Sequence, residues 1–155
     1  MIGESSRKII ESLSDIVWSI NPENDHFDKI ILRMRSTSYN LMRAKKIDFT
    51  FRADEKLNEL KLSMEARRNF YLIFKEALSN LVKYSNANRA SVLLMHDGKQ
   101  VTCIIHDDGI GFDTSEKYNG NGLINMKRRA KEINAQLHIE SSTGNGTSIE
   151  LKFAP

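Results

Sequence analysis

Residues Ser63 to Tyr84, SMEARRNFYLIFKEALSNLVKY, decide the fold. Phe70, Ile73, Phe74, Ala77, Leu78 and Leu81 recur at the three-and-four spacing that gathers side chains on one face of a helix. Ser63 is placed as the N-cap, with Glu65 in the first turn. That face must be buried. At about 100° per residue, Glu76, Asn80 and Lys83 form a second stripe, beside the apolar face rather than opposite it. A carboxylate, an amide and an amine therefore run along the edge of a core. For an arbitrary Glu, Asn and Lys at this spacing a solvated helix flank is the simplest account, but the glycine-rich parts downstream argue against it.

Working outward toward the N-terminus, Ile47, Phe49 and Phe51 alternate with Asp48, Thr50 and Arg52, the period of a half-buried strand. Before it, Ile30, Ile31, Met34 and Leu41 predict a helix from Phe27 to near Lys46. Its basic side, Arg33, Arg35, Arg43, Lys45 and Lys46, reads as a solvated face. Earlier still, Ile9, Leu13, Ile16 and Ile20, with Ile10 and Val17 beside them, predict a helix over residues 4–20 with a coiled-coil-like seam. A seam of about two heptads is marginal for an isolated helix in water, so it needs a partner, either the rest of this chain or another chain. Asn21 and Pro22 break that helix, and a boundary between two structural units is expected there.

In the other direction, Arg89 to His96 and Lys99 to Asp107 read as two strands of a hairpin turning at Asp97-Gly98. Asp108 to Asn121 reads as loop, and Leu123, Met126, Ala130 and Ile133 as a further amphipathic helix, with Asn134 as a left-handed cap. Strands over Gln136 to Ser141 and Thr147 to Phe153, joined at Thr143-Gly144-Asn145-Gly146, close the chain. The expected architecture is an α/β two-layer sandwich: a mixed five-stranded sheet with three helices on one face, preceded by a separate N-terminal helix.

Composition sets the outer limits. With 155 residues, 40% of them hydrophobic, the chain suits one sizeable core. Its longest uninterrupted apolar run, Phe70 to Phe74, is far short of a membrane span, so the chain reads as soluble as it stands. The single cysteine, Cys103, excludes an internal disulfide and sits in an apolar strand pattern, where a buried structural thiol is expected. A net charge of +3, with basic residues dispersed, gives no footprint for nucleic acid.

The glycines carry the chemistry through their order. Neither a P-loop nor a complete dinucleotide fingerprint is present. Glu76-Ala77-Leu78-Ser79-Asn80-Leu81-Val82-Lys83, then Asp107-Asp108-Gly109-Ile110-Gly111-Phe112, then Gly120-Asn121-Gly122-Leu123, then Gly144-Asn145-Gly146-Thr147 together resemble a family. It is the ATP-binding (Bergerat-fold) catalytic domain of bacterial sensor histidine kinases, within the group of gyrase-type, Hsp-chaperone-type and mismatch-repair ATPases. The resemblance covers roughly Asp25 to Pro155. Leu123-x-x-Met126-x-x-Arg129 and the short loop before Gly120 look like the branch with a short ATP lid.

The resemblance implies roles. Asn80 would offer its carbonyl oxygen to Mg²⁺, a hard cation, with the triphosphate supplying other oxygens. Lys83 would place positive charge near the phosphates, and Glu76 would orient a water or support the metal's hydration shell. Asp107 would accept from the adenine amine, favouring ATP over guanine nucleotides, with Thr147 assisting. Gly109 and Gly111 would let the backbone approach base and sugar, and Gly120, Gly122 and Leu123 lead into a helix whose free N–H groups suit a phosphate. The segment Asp113 to Asn119 holds one aromatic and no other large apolar side chain, so it is expected to act as a lid, mobile when empty.

Two positions depart from the family pattern. Tyr84 stands where the family commonly has histidine, and the glycine the family commonly has near Ala135 is missing. None of His26, His96, His106 or His138 suits the role of phosphoacceptor. The resemblance therefore implies a fragment: residues 1–24 as the end of a dimerisation hairpin and its link, offering a homodimer contact through the N-terminal helix, and residues 25–155 as the ATP-binding domain. The acceptor histidine would lie on the missing helix of the same kinase, with a response regulator as the next acceptor and the whole forming the cytoplasmic portion of a membrane-bound sensor. A related serine kinase and a degenerate ATPase fold kept as an interaction module are the alternatives.

Overall fold

The computed structural model describes residues 3–114 and 121–155 of the chain. Its central helix, α3 (Met64–Tyr84), is capped as expected: the Ser63 hydroxyl accepts from the Ala66 N–H at 3.1 Å. Phe70, Ile73, Phe74, Ala77, Leu78 and Leu81 are all buried. The helix stops because Ser85 turns back on it, its hydroxyl donating to the Leu81 carbonyl at 2.6 Å, and because Asn86 adopts a left-handed conformation, φ +51°.

The strands are β1 (Asp48–Ala53), β2 (Arg89–His96), β3 (Val101–Asp107), β4 (Gln136–Ser141) and β5 (Thr147–Phe153), ordered β1-β2-β3-β5-β4 in one sheet. β1 runs parallel to β2 across the α3 crossover, and the other pairs are antiparallel. The β2–β3 hairpin turns where expected: Asp97 accepts from the Lys99 and Gln100 N–H groups at 2.8 and 2.7 Å, and Gly98 supplies φ +97°. The same two N–H groups hold the Asp97 carboxyl below its ordinary range.

Two further helices, α2 (Phe27–Ala44) and α4 (Gly122–Glu132), join α3 on one face of the sheet. Phe27, Phe70 and Phe153 tie α2, α3 and β5 together, with ring centroids 5.8 and 5.0 Å apart. Cys103 is buried in β3, and burial pushes its thiol up to about 12, leaving it protonated and inert. In α2 the buried positions are Phe27, Ile30, Ile31, Met34, Ser38 and Met42, and Leu41 packs partly buried against the same core. The basic side of α2 is not simply solvated. The Arg35 guanidinium carbon lies 4.7 Å from the Phe51 ring centroid, and Arg35 donates to the Phe51 carbonyl at 3.3 Å. Arg33 likewise packs its guanidinium against the rings of Trp18 and Tyr71.

The N-terminal helix α1 (Glu4–Ile20) forms over the expected residues. Its seam, however, is not covered by the described residues: Ile9, Ile10, Leu13, Ile16, Val17 and Ile20 are all exposed. The residues of α1 that are buried are Asp15 and Ser19. Fully burying one aliphatic side chain of this size is worth roughly 1.5–3 kcal/mol, so α1 docks without its main apolar resource.

Candidate functional site

One end of the sheet opens into a cleft. β3 ends at Asp107 and β5 begins at Thr147, and the two residues face each other in the antiparallel register. Strand alternation puts Ile105 and Ile149 on the same side as this pair. Helix α3 crosses above them with Ala77, Asn80, Leu81, Tyr84 and, just past its end, Ser85. Gly111, Phe112 and Leu123 complete the lining of a space that is partly open to solvent. Its apolar walls with a few convergent polar groups are those of a small-molecule site.

Asp107 is the polar group most deeply set in this lining, with 4% of its surface exposed. One carboxylate oxygen accepts from the Gly109 N–H at 2.8 Å. Burial holds the carboxyl above its ordinary range, while the N–H groups of Gly109 and Thr147 and the neighbouring His106 pull the other way. The adjacent Asp108 has the opposite environment. It is exposed, and its carboxylate accepts from the Arg89 and Asn88 N–H groups at 2.8 and 2.9 Å, which hold it below the ordinary range. Two consecutive carboxylates are thus assigned different tasks: Asp108 closes a loop, and Asp107 points its chemistry at a cavity.

The glycines of the Asp107–Phe112 loop meet protein rather than empty space. A Cβ on Gly109 would fall 2.1 Å from the Ser85 carbonyl oxygen, and one on Gly111, at φ +63°, would fall 2.1 Å from the Ser142 carbonyl oxygen. Glycine is required here because the loop threads between the end of α3 and the β4–β5 turn. The threading is fastened by Ile110 N–H to Ser85 O at 2.7 Å and Gly144 N–H to Ile110 O at 2.6 Å. Ser141 adds a bracket: its hydroxyl accepts from the Phe112 N–H at 2.9 Å, donates to the Gly146 carbonyl at 3.0 Å and lies 2.8 Å from the Thr147 hydroxyl.

At the other end, α4 begins directly against α3. A Cβ on Gly122 would lie 2.3 Å from Glu76 Oε1 and 3.4 Å from Asn80 Nδ2. Asn121 makes no side-chain capping bond, and the start of α4 lies beside the cleft-lining Leu123, where the first N–H groups of a helix have no partner within the helix itself. Met126 is buried and Arg129 donates to Asn69 of α3 at 3.4 Å, which gives the Leu123-x-x-Met126-x-x-Arg129 spacing a packing role. Burial, with Arg128 nearby, lowers the Arg129 guanidinium from its ordinary value.

Of the residues singled out in the sequence, the cleft lining brings together Asn80, Asp107, Gly111, Leu123 and Thr147. Glu76 and Gly122 meet beside Asn80. Gly109 supports Asp107 from behind, and Lys83 is exposed outside the lining. Gly120 and most of the expected lid lie outside the described residues. The apolar walls Ala77, Leu81, Ile105 and Ile149 were not singled out as site residues. Their signal was present: each lies on the core face of the element that carries Asn80, Asp107 or Thr147. His106 is exposed on β3, one residue from Asp107 and therefore on the opposite face of the sheet, and none of His26, His96, His106 or His138 lines the cleft. Among the described residues no three His, Cys, Asp or Glu side chains gather as a metal site, and no helix is long and apolar enough to cross a membrane.

A family model described as histidine kinase-, DNA gyrase B-, and HSP90-like ATPase matches residues 65–155. Sensor protein VraS of Staphylococcus epidermidis is 39% identical over 85 residues, covering 54% of this chain and 24% of the relative. VraS of Staphylococcus aureus is 35% identical over 97 residues, covering 62% and 28%. The chain thus matches about a quarter of the length of these curated relatives. Among solved structures, the histidine kinase domain of the Erythrobacter litoralis EL346 blue-light activated histidine kinase superposes with a TM-score of 0.73 at 15% identity, over 98% of this chain and 75% of that one. The Acinetobacter baumannii histidine kinase AdeS gives 0.69 at 13% identity, over 97% and 79%. At such identities the likeness is one of fold.

Proposed function

The chain belongs to the histidine kinase-, DNA gyrase B- and HSP90-like ATPase family, and on that premise we propose that its cleft binds MgATP and presents the γ-phosphate to a histidine of a sensor kinase. The observation that carries this reading is the pairing of a buried carboxylate with a helix start along one apolar cleft, Asp107 on the sheet and Leu123 in the first turn of α4. An ionised Asp107 accepts from the exocyclic amine of adenine, and the carbonyl that guanine presents at that edge would meet it with repulsion. The apolar walls Leu81, Ile105 and Ile149 take the base faces, and the uncapped start of α4 offers N–H donors to the phosphates.

A divalent cation fits the donors present. The amide oxygen of Asn80 is the kind of hard oxygen ligand magnesium prefers, and one such group would leave the remaining positions to phosphate oxygens and water, with Glu76 beside it to support that water. When bound, the ion would neutralise phosphate charge. Lys83, one turn beyond Asn80 on an exposed position, serves as a mobile positive charge that reaches the phosphates only when they are in place. In this reading Glu76 orients a water or the incoming acceptor group. The acceptor histidine belongs to a helix outside this chain, the next acceptor is a response regulator, and the exposed stripe of α1 packs in a dimeric bundle. VraS is named a sensor protein, which supports placing the domain in a sensor of that kind.

Titration calorimetry tests the reading. ATP should bind and GTP should not, and Asn80→Ala should lower affinity in the presence of Mg²⁺ while leaving the metal-free affinity unchanged. Equal binding of ATP and GTP, or an Asn80→Ala variant that loses metal-free and metal-dependent binding alike, would refute it.

A further inference from the structure

The docking of α1 inverts the usual arrangement, since its apolar stripe faces away and its polar residues are buried. Asp15, 4% exposed, sits where three helices meet. One of its oxygens accepts from Arg33 of α2 at 2.8 Å, and the other pairs with Lys75 of α3. The Arg33 guanidinium carbon lies 4.8 Å from the Trp18 ring centroid and 5.5 Å from that of Tyr71, and the two rings are 5.5 Å apart. One turn further, the Ser19 carbonyl accepts from Arg67 Nε at 2.5 Å. The partners on α3, Arg67, Tyr71 and Lys75, are spaced by four and form one face, distinct from the face of Glu76 and Asn80. Helix α3 is therefore shared: one face is core, one serves the cleft, and one receives α1.

We propose that Asp15 is an ionic latch whose release frees α1 from the nucleotide-binding unit without unfolding that unit. Two features support it. First, one buried carboxylate pairs with two partly buried cations on two different helices, and removing it leaves Arg33 and Lys75, 28% and 30% exposed, side by side with no counter-charge. A single carboxylate holding both Arg33 and Lys75 concentrates the sensitivity of the junction in one residue. Second, the core face of α3 and the sheet contain nothing from α1 except the edge contact of Trp18, so their packing does not need it. In the latched state α1 presents its apolar stripe outward while its polar face is fixed to α3, so the helix joins whatever packs on that stripe to the helix carrying Glu76 and Asn80. The device goes beyond the nucleotide reading and does not depend on it.

Trp18, the single tryptophan of the chain, reports the latch directly. In Asp15→Asn its emission should shift to the red and become several-fold more accessible to a soluble quencher. Hydrogen exchange should show at least tenfold faster exchange over Ser12 to Ile20, since an undocked helix of this length is marginal, with amides of β3 and β5 unchanged. Asp15→Glu, which keeps the charge, should retain most of the wild-type signal. An Asn variant with wild-type Trp18 emission and α1 exchange would overturn the proposal. So would loss of protection in β3 and β5 together with α1, because the helix would then be part of one cooperative fold, or a Glu variant as loose as the Asn variant.

Discussion

The two sides of α3 treat polar groups in opposite ways. On the α1 side, Asp15, Arg33, Lys75, Arg67 and Asp25 are matched against one another, so the charges hold helices together. On the cleft side, Asp107 is set among apolar walls with backbone N–H groups as its support, and the start of α4 is uncapped. Buried polar groups matched within the protein specify its structure; buried polar groups matched only by backbone support, and facing a cavity, await a ligand. The same helix does both because its faces are separated by the core stripe Phe70 to Leu81.

Variants on either side should separate stability from binding. The largest effect is expected from Arg67→Met. Arg67 is fully buried, pairs with Asp25 and holds the Ser19 and Leu62 carbonyls. Its loss should lower unfolding free energy by about 3 kcal/mol, the scale of charge-assisted hydrogen bonds lost with two buried carbonyls left unpaired, with ATP affinity by calorimetry unchanged. Gly111→Ala comes next and should blur the separation. The left-handed backbone and the close Ser142 carbonyl leave no room for a Cβ, so a cost of about 1–3 kcal/mol is expected in chemical denaturation. Because Gly111 lines the cleft, nucleotide affinity should fall as well. The smallest effect is a pH dependence. A carboxyl held above its ordinary range in the folded state stabilises the empty protein below the unfolded pKa, and that contribution is lost as pH rises through the folded value. In the proposed reading ATP takes the ionised form, so affinity should rise over the same span in which the empty protein gives up this contribution. Asp107→Asn should flatten both curves.

Most of the fold was legible because apolar periodicity reports it. The six-residue face of α3, the bounds of β4 and β5 and the Asp97-Gly98 turn follow from spacing and turn chemistry alone. The α1 junction was not legible for the complementary reason. Its contacts join Asp15 to residues 18 and 60 positions away, and each charged residue taken alone reads as solvated. Arg33 accordingly reads as part of a solvent face, and the apolar seam of α1 does not show that the face docked on this chain is the polar one. In the cleft, the order of the glycine motifs located Asn80, Asp107 and Thr147, but not why Gly109 and Gly111 are glycine. Their neighbours, the Ser85 and Ser142 carbonyls, are backbone groups that no side-chain pattern encodes.

The central claim is that Asp107 reads the amine of adenine, and one titration tests it: ATP against inosine triphosphate, which carries an oxygen in place of that amine, on the wild type and on Asp107→Asn. The wild type should prefer ATP by about tenfold or more, the worth of a charge-assisted hydrogen bond of roughly 1.5–3 kcal/mol. The variant should lose most of its ATP affinity and nearly all of its preference. A variant that binds ATP as the wild type does, or that keeps the full preference for ATP over inosine triphosphate, would contradict the account.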